Sequence, residues 1–229
     1  MPDLRTTRLA GLLYIAIIGL GLVAEVAVRQ PILALDAQAA ASAIAGGPVA
    51  FRLAIAADTV MVAADIALAY LLWQILAPSG RQIAALAALF RLAQATVIAS
   101  ALATQYEALL WVQQGEAKLA LHALRLHGAG YDFGLIFFGI CSVLTGILLI
   151  RNPAFATWLG GLLAAAGLVY LTGSFLRLIA PGAVEAFAPA YLIAVVAETA
   201  FALALLTGGY GRIRRMVGDE RFELPTSSM

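Results

Sequence analysis

The chain has 229 residues, of which 63% are hydrophobic and 12% charged, with 14 basic against 13 acidic side chains and a net charge of +1. Soluble domains carry about 45–50% apolar and about 25% charged residues, so a water-solvated globule of this size has no room to hide this much apolar surface. The balanced charge gives no reason to expect a nucleic-acid partner, which usually demands a concentrated basic face, and the partner read from composition is the lipid bilayer.

A spanning helix needs roughly 20 mostly apolar residues, because the hydrocarbon layer is about 30 Å thick and each residue rises about 1.5 Å. Leu9–Val28 is the first such stretch. Arg5 and Arg8 precede it as in a signal peptide, but it exceeds the usual core of roughly 7–15 residues and carries Glu25 near the small-residue site, so it reads as a mature span. Leu33–Ile44, alanine-rich with Asp36, predicts a short surface helix. Spans follow at Val49–Leu76 and Ile83–Thr104. In Glu107–Arg125, Leu110, Trp111, Leu119, Leu121 and Leu124 are mixed with Glu107, Glu116, Lys118 and Arg125, which predicts an amphipathic interfacial helix. The last three spans are Tyr131–Ile150, Phe155–Ile179 and Pro189–Thr207. Gly160, Gly161, Ala164, Ala165 and Gly167 in the fifth let neighbouring helices approach closely.

These runs are continuous, whereas the strands of a membrane barrel alternate polar and apolar. The fold class is therefore all-α: a polytopic membrane bundle of about six transmembrane helices, with a short interfacial helix in the outer loops. Residues 1–217 form its single domain. The polar remainder, 218–229, reads as a disordered, non-functional tail. Its string from Asp219 to Ser227 resembles tails found on many unrelated bacterial proteins, as if translation had run past the gene end.

Charge next to the span ends orients the bundle. Arg5, Arg8, Arg81, Arg151, Arg212, Arg214 and Arg215 all fall on one side, against Arg29, Lys118 and Arg125 on the other. By the positive-inside rule both termini are cytoplasmic, in a chain of the inner (plasma) membrane.

A charged residue at the centre of a span costs about 2.5–3.5 kcal/mol, so the intramembrane charges are the informative ones. They are Glu25, Arg29, Arg52, Asp58, Asp65, Arg91, Asp132, Arg177 and Glu198. Glu25 and Arg29, four apart, predict a structural pair on one helix. Asp58 and Asp65 are seven apart and share a helix face. The antiparallel return of the third span brings Arg91 to the depth of Asp65, which predicts an ion pair. Arg52, Asp58, Arg91, Asp132, Arg177 and Glu198, with His127 at the mouth, are the candidate ligand-binding residues of an outward-facing polar cavity. The competing reading is that these charges only lock helices together.

Cys141 lies in an apolar run without ligand-type neighbours and reads as a small hydrophobe. His122 and His127 invite a haem or metal reading, but five residues do not place them on one face, and no Cys or HExxH partner accompanies them. No cofactor or metal is expected. A histidine that titrates near neutral pH beside Asp132 is the more natural reading.

The stretch His127-Gly128-Ala129-Gly130-Tyr131-Asp132-Phe133-Gly134-Leu135-Ile136-Phe137-Phe138-Gly139 resembles a family of bacterial multi-pass membrane proteins known as domain of unknown function 4386. Ala10-Gly11-Leu12-Leu13-Tyr14, Phe51-Arg52 with Asp58, Phe90-Arg91, Pro153 with Leu159-Gly160, Ala166-Gly167 and Tyr170-Leu171 support the likeness over roughly residues 5–210. The resemblance implies a six-helix bundle, lends no activity, and marks Arg52, Asp58, Arg91, Asp132 and Glu198 as characteristic positions.

Three functional classes fit these residues. The preferred one is a membrane protein that binds a small ligand or a proton in the cavity, for transport or sensing. The second is a membrane enzyme for a lipid-soluble substrate, with Asp132 and His127 as acid–base candidates. The third is a structural or regulatory subunit. No predicted span carries an internal proline and no repeat is visible, which weighs against active transport.

Overall fold

The computed structural model describes residues 3–207. The tail read over 218–229 and the arginines from Arg212 to Arg215 lie outside them. Six helices among the described residues are long and apolar enough to cross a membrane. The first runs Leu4–Leu33 and is built from α1 (Leu4–Leu22), a π-helical stretch (Val23–Arg29) and α2 (Gln30–Leu33). Pro31 falls in this extension. It has no N–H to return to the preceding turn, so the ladder beside it loosens, and the wide π turn sits just there. The first span thus contains a proline, contrary to the sequence expectation, because the helix runs on past Val28.

The surface helix α3 (Ala37–Gly46) follows, its first turn capped by Asp36, whose carboxylate accepts from the Ala39 backbone N–H at 2.8 Å. The second and third spans are α4 (Pro48–Leu76) and α5 (Arg81–Gln113). The fourth, α6 (Ala117–Arg151), starts well before the expected Tyr131. No separate interfacial helix forms over 107–125. Those residues are the tips of α5 and α6, joined by a tight turn in which Gly115 takes φ +78°. Continuation wins because it buries Ala108, Leu109, Leu121 and Leu124 against Ala40 and Ile44 of α3, in a satellite core that a helix lying flat would leave open. The fifth span is α7 (Thr157–Ile179). Short turns from Pro181 to Ala190, including α8 (Val184–Phe187), lead into α9 (Tyr191–Thr207), the body of the sixth.

The spans pack as a closed ring in chain order: α1 on α4, α4 on α5, α5 on α6, α6 on α7, α7 on α9, and α9 back on α1. Glycines set the closest approaches. A methyl group at Gly160 would stand 2.6 Å from the Gly146 carbonyl oxygen, and one at Gly167 would stand 2.5 Å from that of Gly139. Two pairs spaced seven residues apart on each antiparallel helix thus make one seam between α6 and α7. Gly11 plays the same part between α1 and α9, facing Leu206.

At the end of the ring that carries Leu4, the interior is solid. Tyr14, Leu68, Leu72, Ile75, Leu148, Leu149, Leu163, Phe201 and Leu205 fill it from five helices. Toward the other end the packing opens, and there the charged residues collect.

Candidate functional site

A cavity of about 450 Å³ lies inside the ring, with wall residues from all six spans. Helical periodicity explains how the polar groups converge. Asp58 and Asp65 on α4, Tyr170 and Arg177 on α7, and Tyr191 and Glu198 on α9 are each seven residues apart, two turns on one face. At about 1.5 Å per residue this makes two polar layers about 10 Å apart.

The outer layer forms the rim. Arg29, 1% exposed, donates from Nε to Glu25 at 2.7 Å and from Nη1 to the fully buried Asp58. One guanidinium from the π stretch therefore bridges two carboxylates, one on its own helix and one on α4. Across the cavity Arg177 of α7 pairs with Asp132 of α6 at 3.2 Å. The side chains of Glu25 and Arg177 are 40% and 46% exposed, so this end of the cavity meets the surroundings. His127 does not sit outside in a loop. It is buried within α6, its Nδ1 3.0 Å from the Ala101 carbonyl oxygen of α5.

The inner layer forms the floor. Arg91 donates from Nε to Asp65 at 2.7 Å, with Nη2 2.5 Å from the same oxygen. Its guanidinium also lies between two rings, 5.0 Å from Tyr14 and 5.1 Å from Phe138, an arrangement worth about 0.5–2 kcal/mol per ring. Beside it Glu198 accepts a 2.5 Å hydrogen bond from the Tyr170 hydroxyl. Phe138, Tyr170 and Tyr191 continue as an edge-to-face aromatic wall, with centroids 5.2 and 5.8 Å apart. Below this floor the apolar core closes the ring.

The candidate residues read from sequence divide accordingly. Arg91, His127, Asp132, Arg177 and Glu198 are wall residues of the one cavity, as are Glu25, Arg29 and Asp65. Asp58 stands behind the wall, held by Arg29. Arg52 is a correction: it is exposed and outside the wall, because the buried face of α4 runs through Phe51, Ala54, Asp58, Met61 and Asp65, about 100° away. His122 is exposed while His127 is buried, so the two do not converge. His127 bonds to α5 and Asp132 to Arg177, so the acid–base pair expected between them does not form as a direct contact.

Sequence reasoning missed Gln94, Tyr131, Tyr170 and Tyr191 on the wall, and Gln30 at the rim. A signal existed. Gln94 is an amide inside a span, on the helix that supplies Arg91, and the two tyrosines stand seven residues from Arg177 and Glu198.

The ring and its central polar chamber define a multi-pass membrane protein, an all-α helix bundle. Residues 9–209 match the family model described as a domain of unknown function, DUF4386. The chain belongs to that family. Neither the curated proteins nor the solved structures contain a match to it.

Proposed function

We propose that this protein binds a small solute or protons in the central cavity, for transport or sensing, at a site reached from the extracytoplasmic side of the plasma membrane. One observation carries the reading: a cavity of about 450 Å³ is walled by charged and aromatic side chains drawn from all six spans. Small-molecule sites run from about 300 to 1,000 Å³ and combine apolar walls with a few convergent polar groups. Here Ile17, Met61, Val62 and Leu135 supply the first, and Arg91, Gln94 and Glu198 the second.

Helix locking alone is the weaker account. The ion pairs do join the first span to α4, α4 to α5 and α6 to α7, but locking needs no space between the pairs. The orientation is supported by Arg5, Arg8, Arg81 and Arg151, which gather at the closed end, the end that the positive-inside rule assigns to the cytoplasm.

Ligand-induced stabilisation tests the reading. A compound at a hundredfold its Kd adds about 2.7 kcal/mol to the folded state, a clear rise in Tm for purified protein in detergent. Gly128 lines the cavity, and a Cβ there meets no atom within 4 Å, so Gly128→Phe fills the chamber without a clash at the backbone. Solutes across a chemically diverse panel and a range of pH should stabilise the parent and leave Gly128→Phe unchanged. A panel without effect on the parent, or equal shifts in both proteins, would refute the cavity as a binding site.

A further inference from the structure

Apart from the Nη2 groups of Arg29 and Arg91 and the Tyr191 hydroxyl, the polar valences left open on the cavity wall are acceptors. His127 Nδ1 faces a carbonyl oxygen, which can only accept, so Nδ1 carries the proton and Nε2 is a lone-pair acceptor. That Nε2 has no partner, on a residue 1% exposed. Gln94 is a wall residue of the same cavity. Its Oε1, buried in a residue 6% exposed, has no donor. Glu198 takes one hydroxyl from Tyr170, and among the described residues its carboxylate forms no ion pair. Arg91 acts on it through space but is bonded to Asp65.

The cationic donors of the wall are committed to carboxylates. Arg29 lies between Glu25 and Asp58, Arg91 on Asp65, and Arg177 on Asp132. One Nη2 each of Arg29 and Arg91 lacks an aligned hydrogen bond, yet both guanidiniums already face carboxylates. The Tyr191 hydroxyl has no partner and can act either way. Four wall carboxylates (Glu25, Asp65, Asp132, Glu198) therefore stand against three wall guanidiniums, one of which, Arg29, also holds Asp58 behind the wall. A guest that donates hydrogen bonds and brings positive charge completes the chamber, and an anion meets repulsion.

We infer that the cavity takes an amphipathic organic ammonium ion, a primary or secondary amine with an apolar body. Its N–H groups donate to Glu198 and to one of the neutral acceptors Gln94 and His127. The edge-to-face wall of Tyr170 and Tyr191 favours positive charge by its ring quadrupoles, and the apolar body lies against Ile17, Met61, Val62 and Leu135. The inference rests on the cavity reading above and names its ligand class.

Thiol modification of the purified full-length protein separates the two. Met61→Cys is made in a Cys141→Ala background and treated with the cationic 2-aminoethyl, the anionic 2-sulfonatoethyl and the neutral methyl methanethiosulfonates. Rates are normalised to those at the exposed Lys118→Cys. The cationic reagent should react roughly tenfold or more faster than the anionic one, since an excess of negative charge in a low-dielectric cleft concentrates cations and repels anions. Glu198→Gln should bring the ratio toward one. Phenethylamine should slow the neutral reagent at Met61→Cys, whereas 3-phenylpropionate should not. A ratio at or below one, an unchanged ratio in Glu198→Gln, no protection by the amine, or equal protection by the carboxylate would each overturn the ammonium assignment. The cavity reading itself fails on a different result, when no reagent reaches Met61→Cys while Lys118→Cys reacts. Where Glu198→Gln does not fold, the protection measurement, made with Glu198 intact, decides alone.

Discussion

Arg29 and Asp58 form an ion pair sealed inside the bundle, one on the π-helical stretch of the first span and the other on α4, with relative exposures of 1% and 0%. The same guanidinium holds Glu25 at the rim. The first span is thus anchored to the second at the level where its helix widens.

Removing one member of such a pair strands the other charge away from water, at a cost of about 3–5 kcal/mol. Arg29→Leu alone should lower stability by about that amount, and adding Asp58→Leu should restore a large part of it. Thermal melts of the singles and the double in one detergent check this. A double mutant as unstable as the sum of both singles means the pair contributes nothing.

Asp65 and Arg91 make the corresponding pair on the floor. Arg91→Ala should destabilise more than Asp65→Ala combined with Arg91→Ala. Arg91→Lys should also lose stability although the charge is kept, by about 1–3 kcal/mol, because an ammonium does not reproduce the Nε bond together with the contacts on Tyr14 and Phe138. Stability of the lysine variant equal to the parent's means that those ring contacts carry no energy.

Two glycines one half-turn apart on α6 should respond with opposite sign to the same change. A Cβ at Gly128 meets open space, so Gly128→Ala gains about 0.5–1 kcal/mol from lost unfolded-state freedom. A Cβ at Gly130 stands 2.7 Å from that of Ala101, so Gly130→Ala pushes α5 and α6 apart and costs about 1–3 kcal/mol. Comparing their melting temperatures is enough, and shifts of the same sign would contradict the close approach.

The proposed orientation places Lys118 and His122, both exposed at the α6 tip, on the extracytoplasmic side. Lys118→Cys, in a background without Cys141, should react with a membrane-impermeant maleimide on intact cells. Reaction only after the cells are opened reverses the orientation.

Composition and periodicity were enough to read six helices and to find the charges inside them, because lipid penalises every polar residue that lacks a reason to be there. The Glu25–Arg29 spacing and the depth match of Asp65 with Arg91 were legible for the same reason: local helix geometry and an antiparallel return fix them without any knowledge of the ring. What the tertiary structure alone decided is which of the remaining charges meet across helices. Asp58 turned from an expected wall residue into the buried partner of Arg29, because the π turn just before Pro31 and the packing of α1 on α4 set a rotation that no spacing encodes. Arg52 fell outside the chamber by one residue of helical phase. Gly139 and Gly146 became the counterparts of Gly167 and Gly160 only once α6 and α7 lay side by side. Hydrophobic pattern is a property of one helix and its solvent, whereas a cavity is a property of six helices at once, and its walls are settled by their mutual rotation.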